Sequence, residues 1–256
     1  MQVVNGFERS ENCHTCKFRN RNFFCQLDRV ALKEFDAIKS LSIYPTDAVL
    51  FVEREDPRGI FVLCEGCIKL SMCSEEGKTL IMRIAKPGEV LGLMAAVSGI
   101  PYEVTAETLR PSQVAFVRRT DFLNFINRHP ENYRSVINHI ASSYGDVCEQ
   151  LRVVGLSSIP KRLAKVLLDW SDEAGGQSRA SSRISIHLTQ EEIGEFIGSA
   201  RETVTRTLRD FENCHLITVR GGRVTIHDRK GLERAAGGLI RVTPPVLTPS
   251  RNPTDT

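Results

Sequence analysis

Four side chains near the start of one short helical stretch have the chemistry to read a base pair. In residues 188–211, LTQEEIGEFIGSARETVTRTLRDF, the side chains of Arg201, Glu202, Thr205 and Arg206 fall together on one face at helical spacing. Arginine offers a planar fork of donors that matches O6 and N7 of guanine, and a carboxylate accepts from N4 of cytosine. A glutamate among arginines weakens plain phosphate binding, so its presence points to reading of a base. The competing reading is a solvated face on which Arg201, Glu202 and Arg206 pair with one another.

Two helices must hold this face outward. Thr189 and Glu192 have capping-box spacing, which predicts a first helix carrying Ile193, Phe196 and Ile197 inward. Gly198 falls where the chain must leave that helix with positive φ. Ser199 and Glu202 repeat the capping-box spacing and predict a second helix starting at once, with Val204, Leu208 and Phe211 buried. Downstream, residues 217–226 alternate as two strands about a Gly221-Gly222 turn, with Arg220 and Arg223 flanking the tip where they can meet phosphate. Thr189, Ser199, Thr203 and Arg209 are the other candidates for backbone contacts.

The run S-x-R-E-T-V-x-R after T-x-x-E-I-G resembles the recognition element of the Crp/Fnr family of bacterial transcription regulators. The resemblance extends over most of the chain. It implies an α+β fold with an N-terminal cyclic-nucleotide-binding-like β-roll, a long dimerisation helix and a C-terminal winged helix-turn-helix. It further implies a homodimer that binds double-stranded DNA and works with RNA polymerase. The Arg–Glu–Arg set is similar to that of Crp-like members, and that resemblance implies half-sites resembling TGTGA.

Composition is compatible with this. The chain has 256 residues, 41% apolar and 25% charged, enough for two ordinary domains. A net charge of +3 is too small for a general polyanion binder, yet residues 198–230 hold seven Lys/Arg against four Asp/Glu. No signal-like segment opens the chain, and no apolar run approaches about 18 residues, so a cytoplasmic protein without membrane contact is expected. Eight cysteines in such a setting read as thiols or metal ligands rather than disulfides. No nucleophile–base pair or phosphate loop suggests an enzyme.

In residues 1–30, Cys13, Cys16 and Cys25 present three thiols. They suit an iron–sulfur cluster, a zinc ion or a thiol switch, and the competing reading is a plain packed terminus. Some members of the Fnr branch resemble this, with an N-terminal cysteine group and one later cysteine holding a four-iron cluster. The aligned later position here is Ala115, so a fourth ligand must come from Cys64, Cys67, Cys73, a carboxylate or an exogenous group.

Residues 31–130 begin with a short amphipathic helix (Leu32, Phe35, Ile38). Apolar runs at 49–51, 60–63, 68–70, 80–82, 90–91 and 114–117 then recur with turn residues between them, the pattern of an antiparallel roll. Residues 75–78 predict one hairpin turn and Glu65-Gly66 another, with Cys64 and Cys67 straddling the second. The segment 86–92, KPGEVLG, is similar to the P-G-E-x-x-G stretch of cyclic-nucleotide-binding folds. The position that holds ribose in members binding cyclic AMP is Leu93 here, and the phosphate positions are Glu103 and Val104. A carboxylate facing a phosphate repels it, so cyclic AMP is not expected.

Residues 131–155 change period. Tyr133, Ile137, Ile140, Tyr144, Val147, Leu151 and Val154 alternate spacings of four and three, a heptad seam for dimerisation. Residues 157–160 predict a hinge before Pro160. A DNA-binding domain is expected over 156–232, with an amphipathic helix at 161–170, a loop at 175–182 and a strand at 183–188. The tail 237–256 holds four of the eleven prolines and reads as disordered. The expectation is a DNA-binding regulator controlled through its N-terminal domain. The rivals are a redox or metal sensor with secondary DNA binding, and a cyclic-nucleotide-responsive regulator.

Overall fold

The computed structural model describes residues 27–171, 189–220 and 223–237, and the backbone of 3–4, 7–8, 172–173 and 182–185. Cys13, Cys16 and Cys25, the loop at 175–181, residues 186–188, the Gly221-Gly222 turn and the tail from 238 lie outside the described residues. Strands β1 (Val3–Val4) and β2 (Phe7–Glu8) form a small antiparallel pair.

Helix α1 (Arg29–Ile38) starts where the Asp28 carboxylate accepts from the N–H groups of Val30 and Ala31 at 2.8 and 2.9 Å. This cap satisfies two of the four donors a helix start leaves unpaired. The helix buries Leu32 and Phe35, and the Phe35 ring meets Phe125 edge-on at 5.6 Å.

The roll follows: β3 (Lys39–Tyr44), β4 (Val49–Phe51), β5 (Gly59–Cys73), β6 (Thr79–Ala85), β7 (Val90–Leu91), α2 (Leu93–Ser98), β8 (Thr105–Arg118) and α3 (Arg119–Arg128). The sheet order is β3-β8-β5-β6, with β4 also on β8 and β7 on β5, so β6 forms an edge. The turn at 75–78 joins β5 to β6, with Cys73 opposite Thr79 and Gly77 at φ 79°. The second predicted hairpin is not a turn. Residues 60–63 and 68–70 belong to one 15-residue strand, and Glu65-Gly66 sits inside it at successive register shifts against β8. Gly66 has φ 115°, and a Cβ there would lie 2.1 Å from Ser112 Oγ, so the glycine serves a bulge with close strand approach. Cys64 and Cys67 therefore flank a bulge.

Residues Pro130–Asn132 form a 3₁₀ turn leading into α4 (Tyr133–Leu156). Of the predicted seam, Tyr133, Ile137, Tyr144, Val147 and Leu151 are exposed along this helix. Ile140 instead packs against the core of its own roll, and Val154 Cγ1 lies 2.9 Å from where a Cβ on Gly198 would be. The chain breaks at Ser157 and Ser158, and α5 (Ile159–Glu173) begins before Pro160 rather than after it. Proline in a first helical turn loses no hydrogen bond, which is why it does not mark the hinge itself. No helix among the described residues is long and apolar enough to cross a membrane.

Strand β9 (Ser182–Ser185), helices α6 (Gln190–Ile197) and α7 (Arg201–Asn213), strands β10 (Ile217–Arg220) and β11 (Arg223–Ile226), and α8 (Arg229–Ala235) complete the C-terminal head. Its three-stranded sheet has the order β10-β11-β9. One apolar cluster unites α5 (Leu163, Leu167), α6 (Ile193, Ile197), α7 (Val204, Leu208, Phe211) and β11 (Val224, Ile226).

Candidate nucleic-acid interface

The first helix of the head is built as its sequence demands. Glu192 N–H donates to Thr189 Oγ1 at 3.1 Å, and Thr189 N–H donates to Glu192 Oε2 at 2.8 Å. Gly198 ends α6 at φ 65°. The second predicted cap fails. Ala200 is the N-cap of α7 and makes no side-chain bond, while Ser199 N–H donates to the Gly194 carbonyl at 2.8 Å. The Ser199 carbonyl would lie 2.5 Å from a Cβ on Gly194, so the turn is pressed onto α6 and cannot swing Ser199 into the capping position. The consequence is chemical: Glu202 is not spent on a cap.

Helix α7 buries Val204, Leu208 and Phe211, each contributing about 1.5–3 kcal/mol. That anchorage leaves Arg201, Glu202, Arg206 and Arg209 exposed, lining one shallow concavity with Thr205, Asp210 and Asn213. Among the described residues, the side chains of Arg201, Glu202 and Arg206 are exposed and form no ion pair with one another. Three donor or acceptor groups stand ready at the N-terminal half of the helix, where a helix laid in a major groove meets base edges.

Thr205 differs from that expectation. It is half-buried, with its hydroxyl 2.6 Å from Gln190 Oε1 and 3.0 Å from the Arg201 carbonyl, so it ties α7 to α6. Gln190 was not singled out in the sequence; its position at the first turn of α6, 15 residues from Thr205, gives no local signal. The Thr189 hydroxyl is likewise engaged by Glu192. Ser199 and Thr203 are half-buried beside the start of α7.

The wing is placed by α7. Glu212 accepts from Val219 N–H at 2.8 Å, joining the end of α7 to β10. Arg220 pairs across the strands with Arg223, and both are exposed. Two arginines at the last cross-strand pair of this ribbon, beside an exposed arginine-bearing helix, offer cationic groups suited to phosphate contact.

The roll has a different character. Leu93 is buried, Glu103 is exposed and Val104 packs against the interior. Tyr102 fills the space nearby, stacked on Phe51 at 4.1 Å with its hydroxyl donating to the Gly59 carbonyl at 2.8 Å. Burial raises the Tyr102 phenol above its ordinary range despite these hydrogen bonds. Among the described residues, no three His, Cys, Asp or Glu side chains gather to hold a metal.

Comparison with known proteins places both halves. The cyclic nucleotide-binding domain model matches residues 42–129, and the Crp-like helix-turn-helix domain model matches residues 161–235. The chain is similar to the CRP-like cAMP-activated global transcriptional regulator of Mycobacterium tuberculosis, 26% identical over 75% of this chain and 86% of that one. Its fold is that of the c-di-GMP responsive global regulator CLP of Xanthomonas campestris (TM-score 0.70, 16% identity, 78% of this chain, 100% of that one). FixK2 from Bradyrhizobium japonicum shares it (TM-score 0.67, 18% identity, 77% and 97%).

Proposed function

This chain belongs to the Crp/Fnr family of transcription regulators, and we propose that it acts as a cytoplasmic homodimer reading a palindromic DNA site with two copies of α7. The observation that carries the reading is the exposed Arg201, Glu202 and Arg206 face at the start of α7. Arg201 and Arg206 donate to guanines and Glu202 accepts from a cytosine, while Arg209, Arg220 and Arg223 take phosphates. The exposed apolar stripe of Tyr133, Ile137, Tyr144, Val147 and Leu151 supports pairing of two α4 helices. RNA polymerase is the further partner that membership implies, and the role is regulatory rather than enzymatic.

The relative from Mycobacterium tuberculosis carries cAMP activation in its name. For this chain we assign no such response. Leu93, Glu103 and Val104 supply neither a ribose acceptor nor a phosphate donor. The signal is assigned instead to Cys13, Cys16 and Cys25. Leu27, two residues past Cys25 in the chain, is buried in the apolar cluster that includes Ala115 and against which Cys64 packs, which favours Cys64 among the candidates for a further ligand. Thiolates of this kind suit an iron–sulfur cluster or zinc.

The test of the main reading is selection of duplexes from a randomised library at two salt concentrations. A palindrome with half-sites about 34 Å apart and affinity that falls steeply with salt is the expected result. Binding without sequence preference would make DNA contact secondary and favour the sensor reading.

A further inference from the structure

Helix α4 carries an exposed apolar stripe, and on another face it buries one amide. Gln150 is 8% exposed, and its Nε2 donates to two carbonyls, Phe196 O at 2.8 Å and Ile81 O at 3.2 Å. Phe196 lies in the last turn of α6, where helix carbonyls lack partners, and Ile81 lies on β6, the edge of the roll. One side chain therefore satisfies an orphan of the head and an orphan of the roll at once. Replacing it with an apolar residue leaves both unpaired.

A second contact crosses the same boundary independently. Lys69 on β5 sits 3.3 Å from Glu107 of the roll and 3.3 Å from Glu192 of α6, and it is 14% exposed. Glu192 uses Oε1 for this ion pair and Oε2 for the cap of α6, so one carboxylate starts the helix and fastens it to the roll. Helix α6 lies along β6, and Ile84 and Leu109 of the roll join the apolar cluster of the head. Meanwhile Arg201, Glu202 and Arg206 remain exposed, so the docked arrangement leaves the reading face open.

We propose that Gln150 and Lys69 are positioning residues for DNA reading: they hold the head against the edge of its own β-roll, so that the two α7 helices of a dimer stand at one separation. The inference rests on the DNA reading above. A head fixed by a buried amide and a half-desolvated ion pair cannot swing to meet a displaced half-site. Loss of either contact frees it to do so.

The experiment uses the full chain carrying Lys69→Gln, Gln150→Leu or both, with Lys69→Arg as the conservative control. Palindromes selected by the wild type are compared with versions whose half-sites are moved one base pair closer or farther. Each shift displaces a half-site by about 3.4 Å and turns it by roughly 34°, so the wild type loses tenfold or more in affinity when both heads cannot engage. In the Gln and Leu variants that penalty shrinks to about a third or less, and Lys69→Arg keeps it. Sedimentation and circular dichroism establish that the variants are folded dimers. A wild-type spacing penalty in folded, dimeric variants overturns the proposal, as does tighter binding at the native spacing. Hydrogen exchange without DNA reads the docking separately: amides of α6 and β6 exchange faster in the variants, and unchanged exchange overturns the proposal. A wild-type chain that selects no palindrome counts against the reading of α7, and exchange still decides the docking.

Discussion

Glu202 and Arg206 stand one turn apart on the exposed face of α7 and form no ion pair, although the i, i+4 spacing brings such residues within reach. Ser199 fails as a cap, which keeps the carboxylate outward. Glu202→Ala is expected to relax choice at one base pair by about 1–3 kcal/mol while leaving phosphate affinity and salt slope near wild type. Site selection from a randomised library measures this. An unchanged preferred site would remove Glu202 from base reading.

Ile137 and Leu151 are 63% and 60% exposed, whereas Ile140 packs on its own roll. The former are thus the cleaner probes of dimerisation. Leu151→Lys places a charge against its counterpart in a paired seam, a cost of about 3–5 kcal/mol if it is buried there unpaired. Sedimentation should show monomer and operator affinity should collapse, with melting of the single chain little altered. A tight dimer would move the interface elsewhere.

His129 links α3 to the start of α4. Its Nε2 lies 3.0 Å from Glu34 and its Nδ1 3.2 Å from Glu131, with Arg128 also 3.2 Å from Glu34. The hydrogen bond to Glu34 chiefly raises its pKa, helped by Glu131 and opposed by desolvation. A raised folded-state pKa stabilises the fold fully below the unfolded value of about 6.5, and that contribution is lost as pH rises through the folded value. Urea unfolding across this window should show stability falling with pH, and His129→Gln should flatten the slope. A slope that survives the substitution assigns it to another group.

Calorimetry with cyclic AMP is expected to show no binding in the micromolar range. The reason is the exposed Glu103 carboxylate, whose charge at an aligned phosphate position would repel a cyclic phosphate. Micromolar binding would restore the nucleotide as effector.

Anaerobic reconstitution with iron and sulfide should load the wild type and fail with Cys13, Cys16 and Cys25 all changed to Ser, with operator affinity changing only in the loaded protein. The bound form must favour one DNA-binding state, or the signal has no energy source. Equal metal content and equal affinity in the two proteins would make these cysteines structural.

Features legible in the residues themselves are those closed within a few positions. The Thr189–Glu192 box spans three residues, Gly198 needs only its own φ, and the burial of Val204, Leu208 and Phe211 follows from helical spacing. Local backbone geometry brings such groups together whatever the rest of the chain does. The family motif worked because its residues all lie in this segment. Where distant chain intervened, tertiary structure decided. Glu65-Gly66 has turn composition, but β8 runs alongside and turns it into a bulge. Ser199 has cap spacing, but close packing on Gly194 moved the helix start by one residue. Ile140 fits the heptad seam, and the fold adds a contact of its half-buried side chain with the roll. The contacts that join head to roll were silent in sequence, because Lys69 and Glu192 are 123 residues apart and Gln150 and Phe196 are 46 apart. An isolated lysine or glutamine carries no mark of its partner; only the folded chain brings the carboxylate or carbonyl within reach.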